Sequence, residues 1–387
     1  MKEESFGYWS RNKENLKRLY EFALAAILPT WLTIVLSLFT LPKSFYFKLI
    51  CIGAIITALA TAFFLLIMYY DYKELKNPLP VPLMVMVKTS KNPVDTSTRE
   101  AVSNFFKSEE RRGAQKFSEE KLIIPFEWIL PHNELKMPSS SKDTDGMRES
   151  AEEFQRFSDE IEEWVGEADR IKTFAGKKQV YVFYQGPIPL AFAFGNRLKN
   201  KRFFIARWVN NGYTLLTKDG KPFYVDFNEL QNIKPECDKY VKADQIKLEN
   251  GEDPYTFNIY VQLGHHENLP NYPDFDVWFN GKKAQTNLLI ERKPVSGESS
   301  HVLEDIKIDE FVDYAVCVYR KITLFCASQP RCDRINLFLN VPVEIAVLLG
   351  YMLKPPPVIV LYHFFNKQVS EGKAESFYYS VLSFSKD

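Results

Sequence analysis

Two stretches decide the fold: VYVFYQGPIPLAFAFG at residues 180–195 and INLFLNVPVEIAVLLG at residues 335–350. Laid over one another they align without a gap, with Pro187 on Pro342, Ala191 on Ala346 and Gly195 on Gly350, each pair 155 residues apart. Each stretch reads as an apolar strand that turns at a proline into a short apolar helix. Proline suits the first helical turn, where its missing N–H is no loss. Alanine and glycine four residues apart share one helical face and let that face approach the sheet closely. The three small residues can equally be packing devices that touch no ligand, with contacts supplied by the flanking loops.

Working outward, the same order of elements surrounds both stretches. In the first half, Leu83 to Val87 reads as a buried strand, and Phe154, Phe157, Ile161, Trp164, Ala168 and Ile171 recur at helical spacing. Strands over 180–184 and 203–209 flank the short helix. In the second, strands over 257–261, 335–339 and 358–362 accompany a long amphipathic helix through Phe311, Tyr314, Val318, Ile322 and Phe325. The run SSSKDTDG at residues 139–146 reads as a flexible loop. Alternating strands and helices imply parallel pairing, so the spacing predicts an internal duplication of two Rossmann-like α/β halves, residues 78–234 and 252–387. Insertions interrupt them at 98–146 and 265–300.

Ahead of the halves, residues 1–76 have a different composition. Residues 22–41 and 49–70 carry no formal charge, and each run is long enough to cross a bilayer. Arg11, Lys13, Lys17, Arg18, Lys73 and Lys76 flank the pair, while only Lys43 and Lys48 lie between. The positive-inside rule then predicts a two-helix transmembrane hairpin with both termini and the soluble part on the cytoplasmic side. Lys+Arg and Asp+Glu are equal at 49 each, so no global field draws in DNA or RNA, and no stable nucleic-acid partner is expected. The five cysteines form no C-x-x-C pair, which gives no support to a zinc or redox motif.

The repeated strand–P-x3-A-x3-G–helix unit resembles the SAVED domain, a fusion of two CARF-like halves, over roughly residues 78–387. The resemblance implies a CBASS anti-phage membrane effector. Its cytoplasmic sensor would bind a cyclic di-, tri- or tetranucleotide made by a cognate nucleotidyltransferase. The chain would then oligomerise and its hairpins disrupt the lipid bilayer of the bacterial inner membrane. No other cofactor is expected. In open α/β sheets ligands sit beyond the carboxyl ends of the strands. That rule selects Lys88, Thr89, Ser90, Gln185, Gly186, Trp208 and Asn210 in the first half. In the second it selects Gln262, His265, His266, Asn340 and His363. Aromatic faces stack bases, amides and hydroxyls read base edges, and lysine offsets phosphate charge. Trp208 as a core residue and His265–His266 as solvated loop residues are the plain alternatives.

Two other readings stay open. Asp276 with Glu291 and Lys293 imitates the D…(D/E)xK pattern of metal-dependent nucleases, which hold a divalent ion on carboxylates. It falls within the 265–300 insertion, where a surface β-hairpin explains it as well. No P-loop, G-x-S-x-G or H-E-x-x-H motif is present, so the expectation is a non-enzyme without a catalytic or metal site. A non-catalytic membrane scaffold with an empty pocket is the third reading.

Overall fold

The computed structural model describes residues 61–62, 65, 69, 79–87, 101–102, 104–106, 137–140, 142–170, 178–199, 201–209, 212–247, 253–264, 284–293, 306–354, 357–368 and 374–385. Contacts divide the chain into two compact units. One takes residues 1–81, 109–122 and 169–179; the other takes 82–108, 123–168 and 180–387. Both sheets lie in the second unit, apart from the first residues of two strands.

The first half runs β1 (Leu79–Met86), α1 (Thr144–Arg170), β2 (Lys178–Gln185), α2 (Ile188–Arg197), β3 (Phe203–Val209) and β4 (Gly212–Leu215). Short pieces follow: β5 (Thr217–Lys218), β6 (Lys221–Pro222), β7 (Tyr224–Val225), α3 (Phe227–Asn232) and α4 (Cys237–Tyr240). The second sheet is built from β8 (Val241–Lys247), β9 (Asp253–Gln262), β10 (Ala284–Arg292), β11 (Arg334–Asn340), β12 (Val358–Gln368) and β13 (Ala374–Phe384). Its helices are α5 (Phe311–Ser328) and α6 (Val343–Met352).

Strand order in the first sheet is β1-β2-β3-β4, with β7 also on β3. In the second it is β13-β12-β11-β9-β10-β8. Read from β9, the series β9-β11-β12-β13 repeats β1-β2-β3-β4. Pairing repeats too: β2 with β3 and β11 with β12 are parallel, while β3 with β4 and β12 with β13 are antiparallel.

Two expectations need correction. Residues 139–146 are not a free loop: Asp143 accepts hydrogen bonds from the Ser139 N–H and the Gly146 N–H, at 2.7 and 2.9 Å, and α1 starts at Thr144. An aspartate that binds free N–H groups of a first turn starts a helix. Nor is 265–300 an inserted hairpin throughout. Residues 284–292 form β10, a strand of the second sheet parallel to β9 and antiparallel to β8. Leu288, Leu289 and Ile290 are buried, and their burial fixes the strand.

Of the apolar runs 22–41 and 49–70, the structure describes only Thr61, Ala62, Leu65 and Tyr69, all helical. The proposed hairpin otherwise lies outside the described residues. Among the described residues, no helix is long and apolar enough to cross a membrane.

The halves meet through α2 and α6. A Cβ added to Gly195 would lie 1.9 Å from the Val347 carbonyl oxygen. One added to Gly350 would lie 1.9 Å from that of Phe192. The contacts are reciprocal, because 347 − 192 and 350 − 195 both equal 155, the offset of the sequence repeat. The glycines therefore admit the backbone of the partner helix, not the sheet as the spacing suggested. Each helix also reaches the other half's sheet: Phe192 packs its ring on Phe384 of β13, and Tyr351 on Phe203 of β3, at 5.7 and 5.2 Å.

Candidate functional site

The carboxyl ends of the central strands are tied down in the same way in both halves. Val87, just past β1, donates its N–H to the Gln185 carbonyl at 2.8 Å. Leu263 and Gly264, just past β9, donate theirs to the Asn340 carbonyl at 2.8 and 3.0 Å. The chain then turns into α2 or α6 at Pro187 or Pro342, neither start having a side-chain cap. Gly186 fits this turn because a Cβ there would come within 3.0 Å of Val87.

In the first half these ends gather a polar and aromatic cluster. Gln185 Nε2 donates to the Tyr213 hydroxyl at 3.1 Å, and Trp208 meets the Tyr213 ring edge-on at 5.0 Å. Phe183 closes on the same ring at 4.9 Å. Burial raises the Tyr213 hydroxyl well above its ordinary pKa, and Glu344 adds to the effect, so it stays protonated. Arg207 lays its guanidinium on the Phe311 ring at 4.3 Å, and its Nη1 is buried without a hydrogen-bond partner among the described residues. Glu344, in the first turn of α6, is buried. Its carboxyl pKa is raised by burial, against the opposing pull of Arg207.

The second half gathers different groups. Asn340 is buried, and its Nδ2 has no partner among the described residues. Gln262 is its register partner on β9 and is half-buried. His363 packs against Phe154 of α1 at 5.3 Å and Tyr379 of β13 at 5.8 Å. A little of its surface stays open, but its surroundings are apolar enough to hold the imidazole neutral, down to about 4. Ser150 shares a hydrogen bond with the Tyr379 hydroxyl at 2.9 Å, which fixes α1 on this strand.

The structure thus brings Gln185, Gly186 and Trp208 together at one set of strand ends, and Gln262 with Asn340 at the other. His363, on β12 beside β11, is taken up in the packing of α1. Lys88, Thr89, Ser90, Asn210, His265, His266 and Asp276 lie outside the described residues. Tyr213, Arg207 and Glu344 were missed by the strand-end rule. Two of them carried a signal: an arginine inside the apolar strand FFIARWV, and a lone acid in the apolar helix VEIAVLLGYM.

The nuclease pattern has no geometry behind it among the described residues. Glu291 is ion-paired with Lys242 across β8 and β10 at 2.6 Å, and Lys293 is exposed. No cluster of three metal-ligating side chains occurs among the described residues.

No protein-family model matches this sequence, and no curated protein matches it. Among solved structures the chain is similar to the Acinetobacter baumannii Cap4 SAVED/CARF-domain containing receptor. With the cyclic trinucleotide 3'3'3'-cAAA, that structure shares 11% identity over 80% of this chain and 52% of its own, at a TM-score of 0.42. With 2'3'3'-cAAA the figures are 10%, 88%, 56% and 0.42. The Moraxella osloensis Cap4 receptor gives 12%, 80%, 50% and 0.32. The chain spans about half the length of these receptors.

Proposed function

We propose that this chain is a non-catalytic sensor that binds a cyclic oligonucleotide between its two α/β halves and acts on the bacterial inner membrane through residues 1–76. The observation that carries the reading is the reciprocal glycine contact of α2 with α6. Two copies of one unit meet through the same motif and form a composite site at a pseudo-twofold. Such a site suits a ligand built from repeated units. Gln185, Trp208 and Tyr213 offer amide and ring surfaces to bases, while Arg207 Nη1 and Asn340 Nδ2 are buried donors that an acceptor on the ligand would satisfy. Lys88, Thr89, Ser90, Asn210, His265 and His266 complete the strand-end set on sequence grounds.

A ligand switches a protein only by binding two of its states unequally. The apolar runs 22–41 and 49–70 carry no formal charge to line a channel, so membrane damage calls for many copies side by side. Ligand-driven self-assembly of the cytoplasmic part is the proposed trigger.

The test is calorimetric titration of the full-length chain, held in mild detergent, with cyclic di-, tri- and tetranucleotides, followed by light scattering. One panel member should bind and raise the mass. The triple change Gln185→Ala, Trp208→Ala and Asn340→Ala should abolish both effects and leave the fold intact. Binding by no member sinks the sensor reading, and binding without a change in mass sinks the assembly step. A cysteine at Ser44 should react with an impermeant reagent from outside the cell, and one beside Asp387 should not.

A further inference from the structure

A cavity of about 550 Å³ opens between the β5–β6 hairpin, the α3–α4 segment and α5. It shares no residue with the strand-end cluster. Its floor is Asp313, in the first turn of α5, buried to 4% exposure. Lys218 Nζ and the Tyr240 hydroxyl donate to Asp313 Oδ2 at 2.7 and 3.2 Å. Oδ1 is buried with no partner among the described residues. A carboxylate oxygen left unpaired in the interior forfeits a charge-assisted hydrogen bond. Burial and Asp313 push the Tyr240 hydroxyl up to about 12, so it remains a donor at neutral pH.

Lys218 is what fills this carboxylate, and it reaches it from a short hairpin. It ends a two-residue strand and precedes the turn Asp219–Gly220, whose φ values of 54° and 73° are those of a tight type I′ hairpin. A lysine is a point charge and engages one oxygen. A guanidinium presents a planar fork that engages both oxygens of a carboxylate. The ionisable lining is Lys218 and Lys234 against Asp219, Glu229 and Asp313, so acids outnumber bases. Phe223 and Tyr240 add aromatic walls, which favour a cation further.

We infer that this cavity is a binding site for a small guanidinium-bearing cation, which displaces Lys218 from Asp313 and bonds both carboxylate oxygens. Removing the acid and removing the internal competitor then have opposite effects. Agmatine is the probe, titrated into the full-length chain by calorimetry. Wild type should bind it saturably. Asp313→Asn should weaken it at least tenfold, while Lys218→Ala should tighten it roughly tenfold, about 1.4 kcal/mol. If Asp313→Asn fails to fold, as a melting curve would show, Lys218→Ala decides alone, because Tyr240 still holds Asp313 there. No saturable binding by wild type overturns the site. So does unchanged affinity in a folded Asp313→Asn, or unchanged or weaker affinity in Lys218→Ala.

Discussion

Arg207 of β3 rests on Phe311 of α5, and His363 of β12 rests on Phe154 of α1. The positions correspond: Ile205 pairs with Val182 and Leu361 with Leu337, and Arg207 and His363 each stand two residues further along. In both cases the long helix of one half covers the strand of the other. The position that matches Glu344 in the first short helix, 155 residues earlier, is Pro189. One corner therefore holds a guanidinium near a buried carboxyl; the other holds a neutral imidazole between two aromatic rings. A shared backbone frame carries a charged wall on one side and an apolar wall on the other. Under the proposed function, a ligand between the halves would meet two different surfaces, although the scaffold beneath is nearly twofold.

The frame itself is the first place to break this comparison. Gly195→Leu and Gly350→Leu should each destabilise the domain by about 3 kcal/mol or more, because even the first carbon collides with a carbonyl of the facing helix. If the pseudo-twofold is what matters, the two losses are similar in size. Urea unfolding midpoints check this. A loss at only one glycine would mean that the helices do not depend on each other equally.

The corners should then separate by pH. His363 has its pKa lowered from 6.5 to about 4, so the unfolded chain binds the extra proton between those values. Stability rises with pH across that window and is lost as pH falls through it. His363→Phe should recover on the order of 2 kcal/mol near pH 4. Glu344 has the opposite sign. Its folded pKa is raised, so its contribution is complete below about 4.5, the ordinary value, and declines as pH climbs toward the folded value. Glu344→Gln should flatten that decline. Melting temperatures of the two variants from pH 4 to 8 would test both signs. Parallel curves would erase the distinction between the corners.

How far the sequence foretold this is best seen in α6. The alignment of residues 180–195 with 335–350 located both short helices and the strands before them, because proline and an apolar run are local signals. It assigned the small residues to the wrong neighbour, because spacing along a helix says which face is thin and not what fills the gap. Gln185 and Asn340 were legible from their place after a strand. Tyr213 was not, since it lies on β4, beyond the repeated stretch, and joins Gln185 only through the antiparallel return. Arg207 and Glu344 stood out as charges in apolar segments, but a charge in a strand or helix does not name its partner. Residues 284–292 were lost to an insertion because the strand pairs with β9 across a gap in sequence.

That strand supplies the smallest and last test, and it concerns what one half has and the other lacks. The second sheet continues past β9 into β10 and β8, whereas β1 ends its sheet among the described residues. The added edge carries Glu291 opposite Lys242 in register, joined at 2.6 Å. Lys242 is about half exposed, and pairs of this kind contribute little because water screens them and both side chains lose freedom. The edge is held by Leu288, Leu289 and Ile290, all buried, and not by the charges. Glu291→Ala should therefore move the urea midpoint by no more than the equivalent of about 1 kcal/mol. Incubated with magnesium or manganese and single- or double-stranded DNA or RNA, wild type and variant should leave the nucleic acid equally intact. Cleavage by wild type that disappears in Glu291→Ala would make this edge a catalytic addition to the second half, and the asymmetry between the halves would then be one of chemistry as well as of binding surface.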